Sequence, residues 1–152
     1  MNDDLESLLA PQSPTPERPL LGLTVLVVED SRFASEAMRL LCLRSGARIR
    51  RADSLQSARK HLRVYRPNVV IVDLGLPDGS GAELIDDLSH ARPGVDVVLG
   101  MSGDSGAQAL AFAAGANGFI EKPISSLGAF QEKILSCLPT AARPSGLHAI
   151  TD

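Results

Sequence analysis

Glu29, Asp30 and Asp73 are three carboxylates that close apolar runs, and Ser102 and Lys122 stand at the ends of two further extended stretches. Carboxylates brought close together repel, and at least one pKa rises unless a cation lies between them. Hard oxygen donors with room for water and a phosphate suit Mg2+, with Mn2+ as the alternative ion. Lys122 offers the positive charge that a phosphorylated aspartate requires, and Ser102 adds a hydroxyl donor. Gly75 and Gly103 leave backbone N–H groups open to close approach by phosphoryl oxygens. Singly, each residue has a plainer reading: an acidic pair after a strand is commonly a solvated loop, and Asp73 alone is an ordinary strand-end acid. The chemistry therefore depends on whether the chain brings these positions together.

The elements that would do so are legible in the hydrophobic pattern. Residues 25–28, 69–72 and 97–99 are continuous apolar runs rich in valine, as in strands covered by helices on both faces, which implies a parallel sheet. Weaker strands are expected at residues 48–51 and 118–121. Between them lie five segments of helical period. Phe33, Ala37 and Leu41 share a face of the first, with Ser31 as N-cap and Gly46 as stop. Leu55, Ala58, Leu62 and Tyr65 line the second, capped by Ser54 and ended before Pro67. Leu84, Leu88 and Ala91 mark the third, which Pro93 and Gly94 terminate. The fourth is expected over residues 105–114, and Leu127, Phe130, Ile134 and Cys137 line the fifth, capped by Ser125 or Ser126. Five βα units with right-handed crossovers make an open, doubly wound α/β sheet, in which ligands bind at the carboxyl ends of the strands. Glu29, Asp30, Asp73, Ser102 and Lys122 all fall on that rim.

A chain of 152 residues has room for one ordinary domain with short tails. At 44% hydrophobic and 22% charged residues it has the composition of a globular protein, and a net charge of −3 without a basic stripe argues against direct nucleic-acid binding. Cys42 and Cys137 lack metal-ligand spacing and read as small hydrophobes in a reducing compartment. The acidic start has no signal-peptide pattern and no apolar stretch approaches a membrane span, so the expectation is a cytoplasmic protein without membrane contact. Residues 1–21, with Pro11, Pro14, Pro16 and Pro19, read as a flexible leader in which Leu5, Leu8 and Leu9 form at most one amphipathic turn. Residues 22–138 form the expected domain, and 139–152 a flexible tail with no room for an output domain.

Four motifs carry a family resemblance. They are Val27-Val28-Glu29-Asp30-Ser31, Val72-Asp73-Leu74-Gly75-Leu76-Pro77-Asp78-Gly79-Ser80-Gly81, Met101-Ser102-Gly103-Asp104 and Phe119-Ile120-Glu121-Lys122-Pro123. In order and separation they resemble the signature of bacterial two-component response-regulator receiver domains, over roughly residues 23–138. The resemblance implies a flavodoxin-like (βα)5 fold with strand order 2-1-3-4-5. It implies that Asp73 takes a phosphoryl group from a phosphohistidine on a sensor histidine kinase or phosphotransfer protein. Asp30, Asp73 and the backbone carbonyl of Gly75 would bind Mg2+, with Glu29 acting through a metal-bound water. Lys122 would contact the phosphoryl oxygens, Ser102 would form the hydrogen bond that reports phosphorylation, and Phe119 stands where the family has its switch aromatic. Pro123 follows at a bond frequently cis in this family, shaping the loop that aims Lys122.

Plain readings stay open for some of these. Phe119 also fits a buried strand residue without a switching role, Pro77-Asp78-Gly79 is a turn in its own right, and Gly79 and Gly81 fit loop geometry. The positions that commonly tune phosphoryl lifetime in the family are Gly75 and Asp104 here, and they do not fix a half-life. The fourth helix, apolar almost all round, is a candidate docking surface for a downstream protein. A homodimer through the face of the fourth and fifth helices is the self-association mode on offer, although that helix lacks charged residues. The expected function is thus a single-domain response regulator that catalyses only its own phosphorylation and dephosphorylation. The competing reading is a phosphorylation-independent receiver-like binding module, against which Asp30, Asp73 and Lys122 argue. A hydrolase of haloacid-dehalogenase type would want a second aspartate where Gly75 stands.

Overall fold

Valine-rich runs have nowhere to bury both faces except the middle of a sheet, and the computed structural model, which describes residues 14–139, puts them there. The strands are β1 (Thr24–Val28), β2 (Arg48–Ala52), β3 (Val69–Asp73), β4 (Val97–Ser102) and β5 (Gly118–Glu121). All neighbours are parallel, in the order β2-β1-β3-β4-β5, as expected. Helices α1 (Arg32–Ser45), α2 (Leu55–Val64), α3 (Gly81–His90), α4 (Gln108–Ala113) and α5 (Leu127–Cys137) fill the crossovers. The register aligns the strand ends: Val28 pairs with Val72, Asp73 with Met101, and Ser102 with Glu121. Residues far apart in sequence therefore end on one rim.

Strand alternation divides the apolar side chains into two layers. Val25, Val27, Val69, Ile71, Leu99 and Met101 face α1 and α5, where Met38, Cys42, Phe130 and Ile134 meet them. Leu26, Val28, Val70, Val72 and Val98 face the other way, onto Leu55, Ala58, Leu84, Ile85 and Ala111. Each fully buried Val, Leu or Ile contributes on the order of 1.5–3 kcal/mol of transfer free energy. The rim is therefore carried by a rigid base.

Three expectations change. The inward face of α1 is Ser35, Met38, Cys42 and Ser45, whereas Phe33 is 88% exposed and Ala37 also faces solvent. Ser45 tolerates burial because its hydroxyl donates to the Leu41 carbonyl at 2.7 Å and accepts from Gln131 Nε2 at 3.0 Å. The fourth helix is shorter than expected: residues 105–107 form a 3-10 turn before α4, and Leu110 and Phe112 project outward at 51% and 45% exposure. A flexible leader running to residue 21 is not what the structure shows, because Leu20 is fully buried and its N–H donates to the Ser45 carbonyl at 2.9 Å. The expected strand at residues 48–51 is present as the edge strand β2, where exposed Arg48, Arg50 and Arg51 discourage further strand pairing. Residues 1–13, including Leu5, Leu8 and Leu9, and residues 140–152 lie outside the described residues.

Candidate functional site

β1 ends one residue before Glu29, and the Glu29 N–H bonds to the Ala52 carbonyl at 2.9 Å, holding this residue at the junction of β1 and β2. Its side chain turns inward and is almost fully buried, while Asp30 points to solvent. Asp73 ends β3 and is 6% exposed. Lys122 follows β5 and reaches across the rim. Its Nζ donates to Glu29 Oε1 at 2.7 Å and to Asp73 Oδ2 at 2.8 Å. One ammonium thus bridges two buried carboxylates. Each of Glu29, Asp30 and Asp73 also offers an oxygen within 4.8 Å of the other two, so the hard-donor set for a divalent cation is assembled.

The remaining carboxylate oxygens are taken by backbone donors. Gly75 N–H donates to Asp73 Oδ1 at 3.0 Å, and Ser31 N–H to Glu29 Oε2 at 3.2 Å. Burial pushes the Glu29 carboxyl above its ordinary range, and the Asp73 carboxylate beside it adds to the rise, outweighing Lys122. Burial also opposes charge on Asp73, but hydrogen bonds with Glu29, Lys122 and the Gly75 N–H outweigh it and hold Asp73 below the usual carboxylate range. Burial likewise works against the charge on Lys122, yet its bonds to Asp73 and Glu29 keep the ammonium above its ordinary pKa. The pair is thus asymmetric: Asp73 stays ionised against Lys122, and Glu29 is the first to take a proton.

The β3–α3 loop places Asp73 through contacts that spacing alone did not reveal. Leu74 N–H bonds to the Met101 carbonyl at 3.0 Å, and Gly75–Leu76 pairs antiparallel with Gly79–Ser80. A Cβ on Gly81, the first residue of α3, would lie 2.2 Å from the Asp73 carbonyl oxygen, so only glycine lets the helix start against the site. Asp78 accepts from the N–H groups of Leu55 at 2.9 Å and Gln56 at 3.0 Å, tying the loop to the start of α2. Both roles were missed. Turn composition accounts for these residues equally well, and a close approach between distant segments has no signature in one sequence.

The other expected residues fall as follows. Ser102, half-buried at the end of β4, accepts from the Asp104 N–H at 3.1 Å. Asp104 caps the 3-10 turn, its Oδ1 accepting from Gly106 N–H at 2.9 Å. Gly75 is exposed, and nothing closer than Asp73 Oδ1 at 3.9 Å surrounds its Cβ position. Phe119 is 6% exposed and packs in the layer with Ile85 and Ala111. The Lys122–Pro123 peptide is cis, as is Arg92–Pro93. Ser102, Asp104 and Phe119 thus connect the rim to α4, while Glu29, Asp30, Asp73 and Lys122 form its charged centre.

Known proteins share this sequence pattern and fold. Residues 25–134 match the model of the response regulator receiver domain. The KDP operon transcriptional regulatory protein KdpE of Escherichia coli K12 is 32% identical over 110 residues, which are 72% of this chain and 48% of that protein. The probable transcriptional regulatory protein TcrX of Mycobacterium tuberculosis is 34% identical over 104 residues, 68% of this chain and 44% of its own. The chain thus spans about half the length of these curated relatives. The chemotaxis response regulator CheY4 of Vibrio cholerae shares the fold at a TM-score of 0.69 and 19% identity, covering 76% of this chain and 98% of that structure. With two thirds of the chain matched by sequence and its charged rim at the ends of a 2-1-3-4-5 sheet, the protein belongs to the response-regulator receiver domain family of two-component systems.

Proposed function

We propose that this domain accepts a phosphoryl group on Asp73 in a Mg2+-dependent reaction with a histidine kinase or phosphotransfer protein, and signals through a change of its own surface. The observation that carries this reading is the Lys122 ammonium bridging Asp73 and Glu29 beside the exposed Asp30. An Asp73 oxygen attacks the phosphorus of a phosphohistidine. The P–N bond breaks, its electron pair stays on the imidazole, which takes up a proton, and an aspartyl phosphate forms. Asp30, Asp73 and the Gly75 carbonyl would hold the metal, with Glu29 behind a water. Bound there, Mg2+ (or Mn2+) would neutralise charge on the transferring phosphoryl group. Lys122 then exchanges its carboxylate partners for phosphoryl oxygens, retaining a charge-assisted bond.

Two surfaces fit the partners. Phe33, Ala37, Leu41, Pro123 and Ile124 line an apolar groove that also includes Lys122. A protein donor that reaches Asp73 covers this groove, and an apolar helix face on the donor complements it. On the output side, Ser102 leads through the Asp104-capped turn into α4, whose Ala111 lies in the same core layer as Phe119. The outward Leu110 and Phe112 make that helix the surface for a downstream target or a second copy. Incubation with Mg2+ and phosphoramidate, followed by intact-mass measurement, tests the reading. The expected result is one phosphoryl increment in wild type and none in Asp73→Asn; an unmodified wild type would overturn it.

A further inference from the structure

The turn Pro77-Asp78-Gly79 of the site loop is hydrogen-bonded to a helix other than its own. Both carboxylate oxygens of Asp78 are used there: Oδ1 accepts from Leu55 N–H at 2.9 Å and Oδ2 from Gln56 N–H at 3.0 Å. These are N–H groups of the first turn of α2, which have no partner within the helix. The usual N-cap is nevertheless present, because Ser54 Oγ accepts from Ser57 N–H at 3.0 Å. Asp78 is therefore a second, non-local cap, contributed from 23 residues further along the chain. The adjoining Gly79 has φ +150°, and a Cβ there would fall 2.8 Å from Leu55 Cδ1, so the loop tip is seated directly on α2.

Three residues before Asp78, Gly75 anchors Asp73 through its N–H and presents the carbonyl assigned to the metal under the function proposed above. Gly75 is exposed, and it is held by the Asp73 carboxylate and the ladder to Ser80. The tip of that ladder is fixed from outside by Asp78. We propose that Asp78 is a positioning residue for the Asp73 site: by clamping the loop to the start of α2 it holds the Gly75 carbonyl in place for a divalent cation. The clamp also makes the start of α2 a reporter of the site, since a coupling between two positions acts in both directions.

This inference rests on the metal-binding reading of the rim, and the experiment separates the two. Mg2+ alone is titrated into the full chain, with calorimetry for affinity and amide NMR for the Leu55 and Gln56 N–H signals. Wild type is expected to bind Mg2+ and to shift both signals. Asp78→Ala is expected to weaken Mg2+ binding about 3- to 10-fold, and Asp78→Asn, which keeps one acceptor oxygen, to recover part of that loss. Ser54→Ala removes the local cap of the same helix without touching the loop, so it is expected to lower Tm while leaving Mg2+ affinity unchanged. α2 stays docked in both variants through buried Leu55 and Ala58 and the Arg59–Asp87 ion pair at 2.8 Å. Unchanged Mg2+ affinity in Asp78→Ala, or an equal loss in Ser54→Ala, would overturn the positioning role alone. No Mg2+ binding by wild type would overturn the metal site itself, and this inference with it.

Discussion

Gly81→Ala is the smallest change that should damage the site from behind. The added methyl would sit 2.2 Å from the Asp73 carbonyl oxygen, 2.8 Å from Val72 Cγ1 and 3.0 Å from the Asp73 carbonyl carbon. Contacts of Cβ below 3.0 Å are essentially never seen, so α3 or the end of β3 must retreat by about 0.8 Å. The nearest neighbour, the Asp73 carbonyl, is backbone, which cannot swing aside as a side chain can. Overpacking of this kind costs about 1–3 kcal/mol, and the helix-propensity gain of alanine over glycine returns only about 0.5–1 kcal/mol. For a body of this size roughly 4 °C of Tm corresponds to 1 kcal/mol, so a drop of up to ~10 °C is expected by calorimetry. The chemical effect should be larger than the thermal one. A displacement near 1 Å can cost about 10²-fold in rate, so phosphorylation by phosphoramidate should slow at least ~10-fold at a temperature where the variant is folded. Gly128→Ala, in α5 with nothing nearer than Ser126 Oγ at 4.0 Å, should leave stability and rate near wild type. A Gly81→Ala protein with wild-type Tm and wild-type phosphorylation would refute the packing argument.

Phe33→Ser should leave Tm within error, since the side chain is 88% exposed, yet slow phosphorylation by a protein donor while sparing phosphoramidate. Competition binding with a phosphotransfer protein would check the cause. Lys122→Met leaves Glu29 and Asp73 facing one another without their shared cation. It should destabilise the metal-free domain by about 1–2 kcal/mol, discounted for the partial exposure of the lysine, and denaturation with added Mg2+ should recover part of that loss. Because the folded-state pKa of Glu29 is raised, its protonated form favours the metal-free fold below its unfolded value of about 4.5, and that contribution is lost as pH rises through the folded pKa. Mg2+ needs the ionised form, so its affinity by calorimetry should fall with pH from above 4.5, with proton release on binding. Asp78 has the opposite sign: its pKa is lowered by the Leu55 and Gln56 N–H groups, so its contribution is present above about 3.8 and lost as pH falls through the folded value. Cys42, buried with its thiol pushed up to about 12, should resist alkylation until the domain unfolds.

The rim was readable in advance because each of its residues ends a strand, and strand ends in a parallel sheet have one destination. Val69 to Val72 could only be a central strand, and that placed Asp73 among the other strand termini. The face of α1 was misread for a physical reason. Ser35 and Ser45 occupy buried positions that hydrophobic periodicity assigns to solvent, and the rescue of Ser45 by Leu41 and Gln131 depends on tertiary contacts. Leu20 was assigned to a leader because prolines precede it, although one leucine beyond them reaches the core. Asp78 and Gly81 illustrate the remaining gap. Their residue types suit any turn, and only the nearness of α2 to one and of the Asp73 carbonyl to the other gives them a role.

Locating the phosphoryl group tests the central claim most directly. Borohydride reduces an aspartyl phosphate to homoserine, which peptide mass spectrometry can assign to a residue. After incubation with phosphoramidate, homoserine is expected at position 73 alone, with Mg2+ present, and none when the metal is chelated. Homoserine at another acidic residue, or its formation at position 73 regardless of Mg2+, would contradict the account.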